Sequence, residues 1–179
     1  MLVLVVGPSG AGKDTLINAG KAALADDARF VFPRRVVTRQ AMAALEDHES
    51  TSLEDFERAE ASGAYALSWG AHGLRYGLPA ALVDDLKAGR TVVFNGSRAM
   101  VATAVAKFPG TRVVLIEATA AVRAKRLSGR GRETEAEVAA RLAREVPAAL
   151  PDAIRIDNSG ALDDGIASFV MALRSLARD

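Results

Sequence analysis

Apolar positions in this chain fall into short runs separated by glycine, proline and charge. Leu2 to Val6 is an unbroken apolar run, rich in Val and bounded by Gly7-Pro8. It predicts a buried parallel strand. Beyond Gly12 the period changes: Leu16, Ile17, Gly20, Ala23 and Leu24 recur at helical spacing. Arg35 to Thr38 predicts a short second strand, and Gln40 to Ser50, with no clean period, a loop. Ser52 caps the next helix, with Asp55 close to a capping-box position, and Gly63 ends it. Tyr65 to Trp69 and Leu74 to Tyr76 read as short strands around the turn Gly70 to Gly73. Pro79 opens a helix that stops at Gly89.

The same alternation continues. Thr91 to Phe94 is a buried strand, closed by Asn95-Gly96-Ser97, and Met100, Val101, Ala104 and Val105 form a helical stripe. Arg112 to Ile116 predicts a strand and Thr119 to Leu127 a helix, which the glycines of 128–133 break. Thr134, with Glu137 in the capping-box position, starts a further helix that Pro147 ends or kinks. Ala153 to Ile156 is the last strand. Leu162, Ile166, Phe169, Val170, Leu173 and Leu176 line a closing helix. Strands alternating with helices predict a three-layer α/β fold with a mainly parallel sheet. Only about 40–78 breaks the alternation, as a small α+β insertion where an acceptor could sit.

Composition narrows the functional classes. The chain has 179 residues, enough for one domain with a sizeable core. Half are hydrophobic and 25% are charged, as in an ordinary globular protein. A net charge of +1 makes no case for nucleic acid or a membrane surface, so any basic site must be local. Without cysteine there are no disulfides or thiolate metal sites. No apolar run is long enough to span a bilayer. A soluble, cytoplasmic protein is expected.

Gly7-Pro8-Ser9-Gly10-Ala11-Gly12-Lys13 fits a phosphate-binding loop, G-x-x-x-x-G-K, between a strand and a helix. Its N–H groups and the helix N-terminus would receive phosphate oxygens, with Lys13 reaching the β- and γ-phosphates. The architecture is then that of a P-loop NTPase. Asp14 stands where Ser or Thr is usual, and the first hydroxyl follows at Thr15. A carboxylate there is expected to hold Mg²⁺, through water, with Thr15 on a phosphate oxygen; the plainer reading is a favourable charge at a helix start.

A second signal is the basic segment with Arg126, Arg130, Arg132 and Arg141. Arg126 and Arg130 share a helical face. Such arginines suit a lid, about 126–145, that closes over a transferring phosphoryl group; a solvated hairpin neutralised by its glutamates is the rival reading. Arg34, Arg35, Thr38 and Arg39 place basic and hydroxyl groups where an acceptor phosphate could be gripped, and a surface cluster is nearly as good a reading. Trp69 and Tyr76 fit a core or pocket wall. Asn95 and Arg98 follow a buried strand at the edge where α/β sheets bind ligands, though Ser97 could simply cap a helix there.

Taken together, GPSGAGKD, VVTR, EDH, ALSWGAHGLRYGLP, VVFNGSRA, RLSGRGRE and ARLARE resemble the ribose 1,5-bisphosphate phosphokinases, relatives of guanylate kinase, over nearly the whole chain. The resemblance implies ATP-dependent phosphorylation of ribose 1,5-bisphosphate to 5-phosphoribosyl 1-diphosphate in bacterial phosphonate degradation, with Mg²⁺. It implies ATP contacts from the loop and Asn158, the latter on an adenine-side turn. It also implies acceptor contacts from Arg39, Tyr76 and Arg98. The departures from guanylate kinase bear on the acceptor. Gln40 to Leu45 supplies no second phosphate-gripping arginine. Ser68 replaces the base-reading Glu, and the acidic strand end is Asn95-Gly96. Residues that would handle phosphate remain while those that would read guanine are replaced, which fits a phosphorylated sugar. A nucleoside monophosphate kinase is the alternative, and a non-catalytic nucleotide-binding module a third. A small-molecule acceptor is the expected partner, and homodimerisation is left open.

Overall fold

The computed structural model describes residues 1–38, 48–71, 73–129, 150 and 152–177. The central sheet has five strands: β1 (Leu2–Val6), β2 (Phe30–Val31), β7 (Thr91–Asn95), β8 (Arg112–Glu117) and β9 (Ile154–Asp157). Their order is β2-β7-β1-β8-β9, and every pairing is parallel. All carboxyl ends therefore open on one edge, where such sheets bind ligands.

Strand alternation sorts β1 between two cores. Val3 and Val5 join Leu16, Val114, Ile156, Phe169 and Leu173 on one face. There the helices α1 (Lys13–Ala23) and the C-terminal α6 (Leu162–Leu176) pack closely. A Cβ on Gly20 would stand 2.8 Å from the Phe169 ring, so the glycine sets the helix separation. Leu2, Leu4 and Val6 join Val92, Phe94, Leu82, Met100 and Ala104 on the other face. The elements there are α3 (Leu82–Lys87) and α4 (Val101–Lys107), the latter entered through a 3₁₀ turn at Arg98–Met100. The three-layer expectation is met.

A second, four-stranded sheet runs β4 (His48–Ser50), β3 (Arg35–Val37), β6 (Leu74–Pro79), β5 (Tyr65–Ala71). The helix α2 (Leu53–Ala61) covers one face, where Phe56 is fully buried and stacks on Tyr65 at 4.6 Å. Ser52 caps α2 as expected, accepting from the Asp55 N–H at 3.0 Å. Leu67 and Leu78 enter the main core and dock this sheet on the central one.

Three expectations change. Arg35–Val37 belongs to the small sheet, antiparallel to β6, and the central sheet is edged by Phe30–Val31. Residues 48–50 form a strand instead of a loop, held by parallel pairing with β3; a three-residue edge strand is too short to show a period. Pro79 closes β6 opposite Tyr65, and α3 starts later, at Leu82. A proline has no N–H to give a ladder, and a strand end tolerates it because no ladder bond is demanded there. The predicted helix from Thr134 lies outside the described residues. Among the described residues, no helix is long and apolar enough to cross a membrane.

Candidate active site

The loop after β1 is shaped by backbone that only glycine tolerates. Gly12, at φ 94°, is the N-cap of α1 and supplies no side-chain hydrogen bond. The first N–H groups of the helix are thus left to an external acceptor. A Cβ at Gly7, φ 154°, would run into the Ile116 carbonyl. The Lys13 Nζ folds back and donates to the carbonyls of Gly7 (2.9 Å) and Pro8 (3.2 Å). Its ammonium is therefore held over the loop. Ser9 is half-buried and Thr15, on the first turn of α1, is exposed.

Asp14 is fixed by a long-range contact. Asn95, the last residue of β7, donates Nδ2 to Asp14 Oδ1 at 2.5 Å. The residue predicted to hold a metal and one predicted to touch the acceptor are thus joined. Oδ2 has no partner among the described residues. No group of three or more acidic or histidine side chains gathers there among the described residues.

A brace stands behind the loop. Asn158, just past β9, is 1% exposed and donates Nδ2 to the Ala11 carbonyl at 2.8 Å. Its own N–H donates to Glu117 O, also at 2.8 Å. Arg126, in the helix α5 (Ala120–Ser128), donates Nη1 to Ala11 O at 3.3 Å and Nη2 to Asn158 O at 2.8 Å. The Ala11 carbonyl is doubly occupied and cannot turn toward a phosphate. Asn158, for which the resemblance implies a place on an adenine-side turn, has its side chain buried against the loop, which it holds. Arg126, expected in the lid, likewise bonds the loop's outer side. The sequence carries one signal of the brace. Gly165 lies in the interior of α6, and a glycine in a helix interior marks close packing; a Cβ there would strike Asn158 Oδ1.

The small sheet, where the sequence leads us to expect the acceptor, presents Arg35, Trp69 and Tyr76. Trp69 and Tyr76 pair across the strands and stack at 5.3 Å, and the Arg35 guanidinium lies 5.5 Å from the Tyr76 ring. Cation–π contact stiffens the long arginine. Thr38 ties this sheet together: its Oγ1 accepts from the Arg75 N–H at 2.8 Å and its own N–H donates to Arg75 O at 3.0 Å. Arg98 lies on the 3₁₀ turn after β7, and Ser97 caps that turn, accepting from the Ala99 N–H at 3.3 Å.

Strand alternation turns Ser68 to the sheet face opposite Trp69. There it donates Oγ to Glu60 Oε1 at 2.5 Å, and Arg75 donates Nη2 to both Glu60 oxygens at 2.7 and 2.9 Å. The Ser68 hydrogen bond first, then the Arg75 charge, hold the Glu60 carboxyl below its ordinary range. Two residues without a signal in the sequence, Asn18 and Lys21, line a cavity with Asp14, Arg35 and Asn95. Arg39, Arg130, Arg132 and Arg141 lie outside the described residues.

No family model matches the chain. It is 46% identical over 177 residues to ribose 1,5-bisphosphate phosphokinase PhnN of Brucella abortus, covering 98% of this chain and 92% of that protein. A protein of the same name from Rhodopseudomonas palustris is 53% identical over 159 residues, covering 89% and 80%. It is also 49% identical over 176 residues to a bifunctional ribose 1,5-bisphosphokinase-thymidine phosphorylase of Azorhizobium caulinodans. That match covers 97% of this chain, and the chain spans 25% of that longer protein. Among solved structures, guanylate kinase from Anaplasma phagocytophilum matches with a TM-score of 0.75 at 16% identity, covering 100% of this chain and 87% of that one. This likeness shows the fold.

Proposed function

The chain belongs to the ribose 1,5-bisphosphate phosphokinase family, and from that premise we propose that it transfers the γ-phosphoryl group of ATP to the 1-phosphate of ribose 1,5-bisphosphate. One observation carries the reading at the level of the site. Lys13 and the Asp14–Asn95 pair stand at the carboxyl edge of the central sheet, while Ser68 is committed to Glu60 and faces away. Groups suited to phosphate stand at this edge, while the position that the resemblance gives to base reading is bonded to Glu60.

The residues fit both ATP and Mg²⁺. A loop whose glycines pack tightly against Ile116, Arg123 and Asn158, ahead of a helix N-terminus with no side-chain cap, suits a phosphate. One carboxylate without a protein cage suits a cation that keeps its waters and leans on substrate phosphates. When bound, ATP with Mg²⁺ supplies the phosphoryl group and offsets its charge.

The chain's own residues then do four things. The loop N–H groups and Lys13 orient the triphosphate tail. Asp14, aimed by Asn95, offers a carboxylate oxygen to the cation. Asn158 and Arg126 keep the Ala11 carbonyl turned away from the phosphates. Arg35 and Tyr76, with Thr38 fixing their sheet, hold the acceptor, and Arg39 and Arg98 join them. Arg130, Arg132 and Arg141 complete the charge around the transferring group. An oxygen of the acceptor 1-phosphate forms the new bond to phosphorus as the bridging bond to ADP breaks. That oxygen is already ionised near neutral pH, so no side chain has to remove a proton. The product is 5-phospho-α-D-ribose 1-diphosphate. The family resemblance supports a setting in phosphonate degradation, in the cytoplasm.

An acceptor panel tests this. With ATP and Mg²⁺, ribose 1,5-bisphosphate should drive ADP release and GMP should not. Activity on GMP alone would favour a nucleoside monophosphate kinase.

A further inference from the structure

The face of α1 that starts at Asp14 continues away from the loop. Ile17, Asn18 and Lys21 follow at the spacing that stacks side chains on one side of a helix. With Arg35 of β3 and Asn95 of β7, this face encloses a cavity of ≈ 40 Å³. One water needs roughly 10–15 Å³, so there is room for a compact anion. Two cations from separate elements line it, Lys21 and Arg35, and Asn18 adds an amide. Phe32 and Pro33 form an apolar part of the wall, and apolar surroundings strengthen charge–charge attraction.

We infer that this cavity is the subsite for the acceptor's second, non-reacting phosphate, with Lys21 and Arg35 matching its charge and Asn18 donating to it. The inference rests on the proposed function. An acceptor with two phosphates needs two anion sites. The reacting phosphate must lie beside Lys13 and Asp14, where the phosphoryl group is delivered. Lys21 is seven positions past Asp14, which places it about 10 Å farther along the helix. That is comparable with the reach of an extended pentose bisphosphate. The cavity touches both Asp14 and Lys21, so one sugar can bridge the two sites. A nucleobase would have no use for paired cations here, and the base-reading position, Ser68, is bonded to Glu60 on the other face. The subsite makes the second phosphate a specificity determinant.

Lys21 is exposed, so Lys21→Ala should leave the fold intact. The variant is compared with the unaltered enzyme on ribose 1,5-bisphosphate and on ribose 1-phosphate, which lacks the second phosphate. Calorimetry with ribose 5-phosphate measures the subsite without turnover. Removal of one charge-assisted hydrogen bond should raise KM for the bisphosphate about tenfold. The KM for ATP, kcat and the kinetics with ribose 1-phosphate should not change, and Lys21→Arg should restore most of the affinity. Binding of ribose 5-phosphate should weaken by the same factor. Equal weakening with both acceptors, or none with either, would overturn the inference. Should the unaltered enzyme phosphorylate no ribose phosphate, the proposed function fails, and the calorimetry still decides the cavity: tight, Lys21-dependent binding supports it and absence of binding removes it.

Discussion

Asn95 Nδ2 donates to Asp14 Oδ1, joining the end of a central strand to the residue after the loop lysine across 81 positions of sequence. The bond aims the carboxylate and leaves its other oxygen for a ligand. A carboxylate about 4 Å from a phosphate charge is repelled by roughly 1 kcal/mol in water and about 4 kcal/mol at an intermediate dielectric. A hard cation between them reverses that sign. Asp14→Asn should therefore raise the Mg²⁺ concentration needed for half-maximal rate and slow turnover. A Mg²⁺ titration of the rate checks this, and unchanged Mg²⁺ dependence would leave Asp14 as a helix-start charge only. Asn95→Ala should shift the same titration in the same direction by less.

The brace on Ala11 makes a separable prediction. Asn158→Ala removes a buried donor and leaves Arg126 as the remaining partner of the Ala11 carbonyl. Removing a buried hydrogen bond costs about 1–3 kcal/mol, so urea unfolding should show a drop of that order. ATP affinity, measured by calorimetry below the unfolding range, should weaken as well. Destabilisation with unchanged ATP affinity would reduce the brace to a packing feature.

Packing in the small sheet is testable at Gly77. A Cβ there would lie 2.7 Å from the Tyr65 ring, which itself stacks on Phe56. The ring cannot retreat without moving α2. Gly77→Ala should cost about 1–3 kcal/mol by overpacking, seen as a lower Tm, while Gly63→Ala meets no neighbouring atom and carries only the penalty of its positive φ.

Glu60 gives the pH dependence. Its carboxyl is held below the ordinary value by Ser68 and then by Arg75. A carboxyl lowered in the folded state adds stability above its unfolded pKa of about 4.3, and that increment is lost as pH falls through the folded value. Stability measured across pH 6 to about 3 should fall more steeply in the native protein than in Glu60→Gln. Trp69, the chain's single tryptophan, sits in the same sheet and reports the change by fluorescence. Identical acid profiles would remove Glu60 from the account.

What the sequence made legible was local. The strand, glycine loop and helix at the N-terminus are specified within some 24 residues, and Ser52 caps its helix as its spacing predicts, while Thr119, read as the first residue of a helix, proves to be that helix's N-cap. Pairing partners were not legible. Arg35–Val37 has the composition of any short strand, and its place beside β6 depends on residues some 40 positions away. Phe30–Val31 is too brief for a period to show. For Asn158 the family resemblance implies an adenine-side turn; its burial against Ala11 and Gly165, which shows a brace, is visible only in the fold. Asn18 and Lys21 give no signal because a polar stripe on a helix ordinarily faces solvent, and here the small sheet covers part of it. That Ser68 and Trp69 face opposite ways follows from the predicted strand, but that Ser68 meets Glu60 and Arg75 there is visible only in the fold.

The most direct test of the account is phosphorus NMR of the reaction mixture with ATP, Mg²⁺ and ribose 1,5-bisphosphate. Acceptor phosphorylation at the 1-phosphate should replace its monoester resonance with a coupled diphosphate pair and leave the 5-phosphate resonance as a monoester. A mixture in which ribose 1,5-bisphosphate stays unchanged while GMP or a deoxynucleoside monophosphate becomes a diphosphate would contradict it.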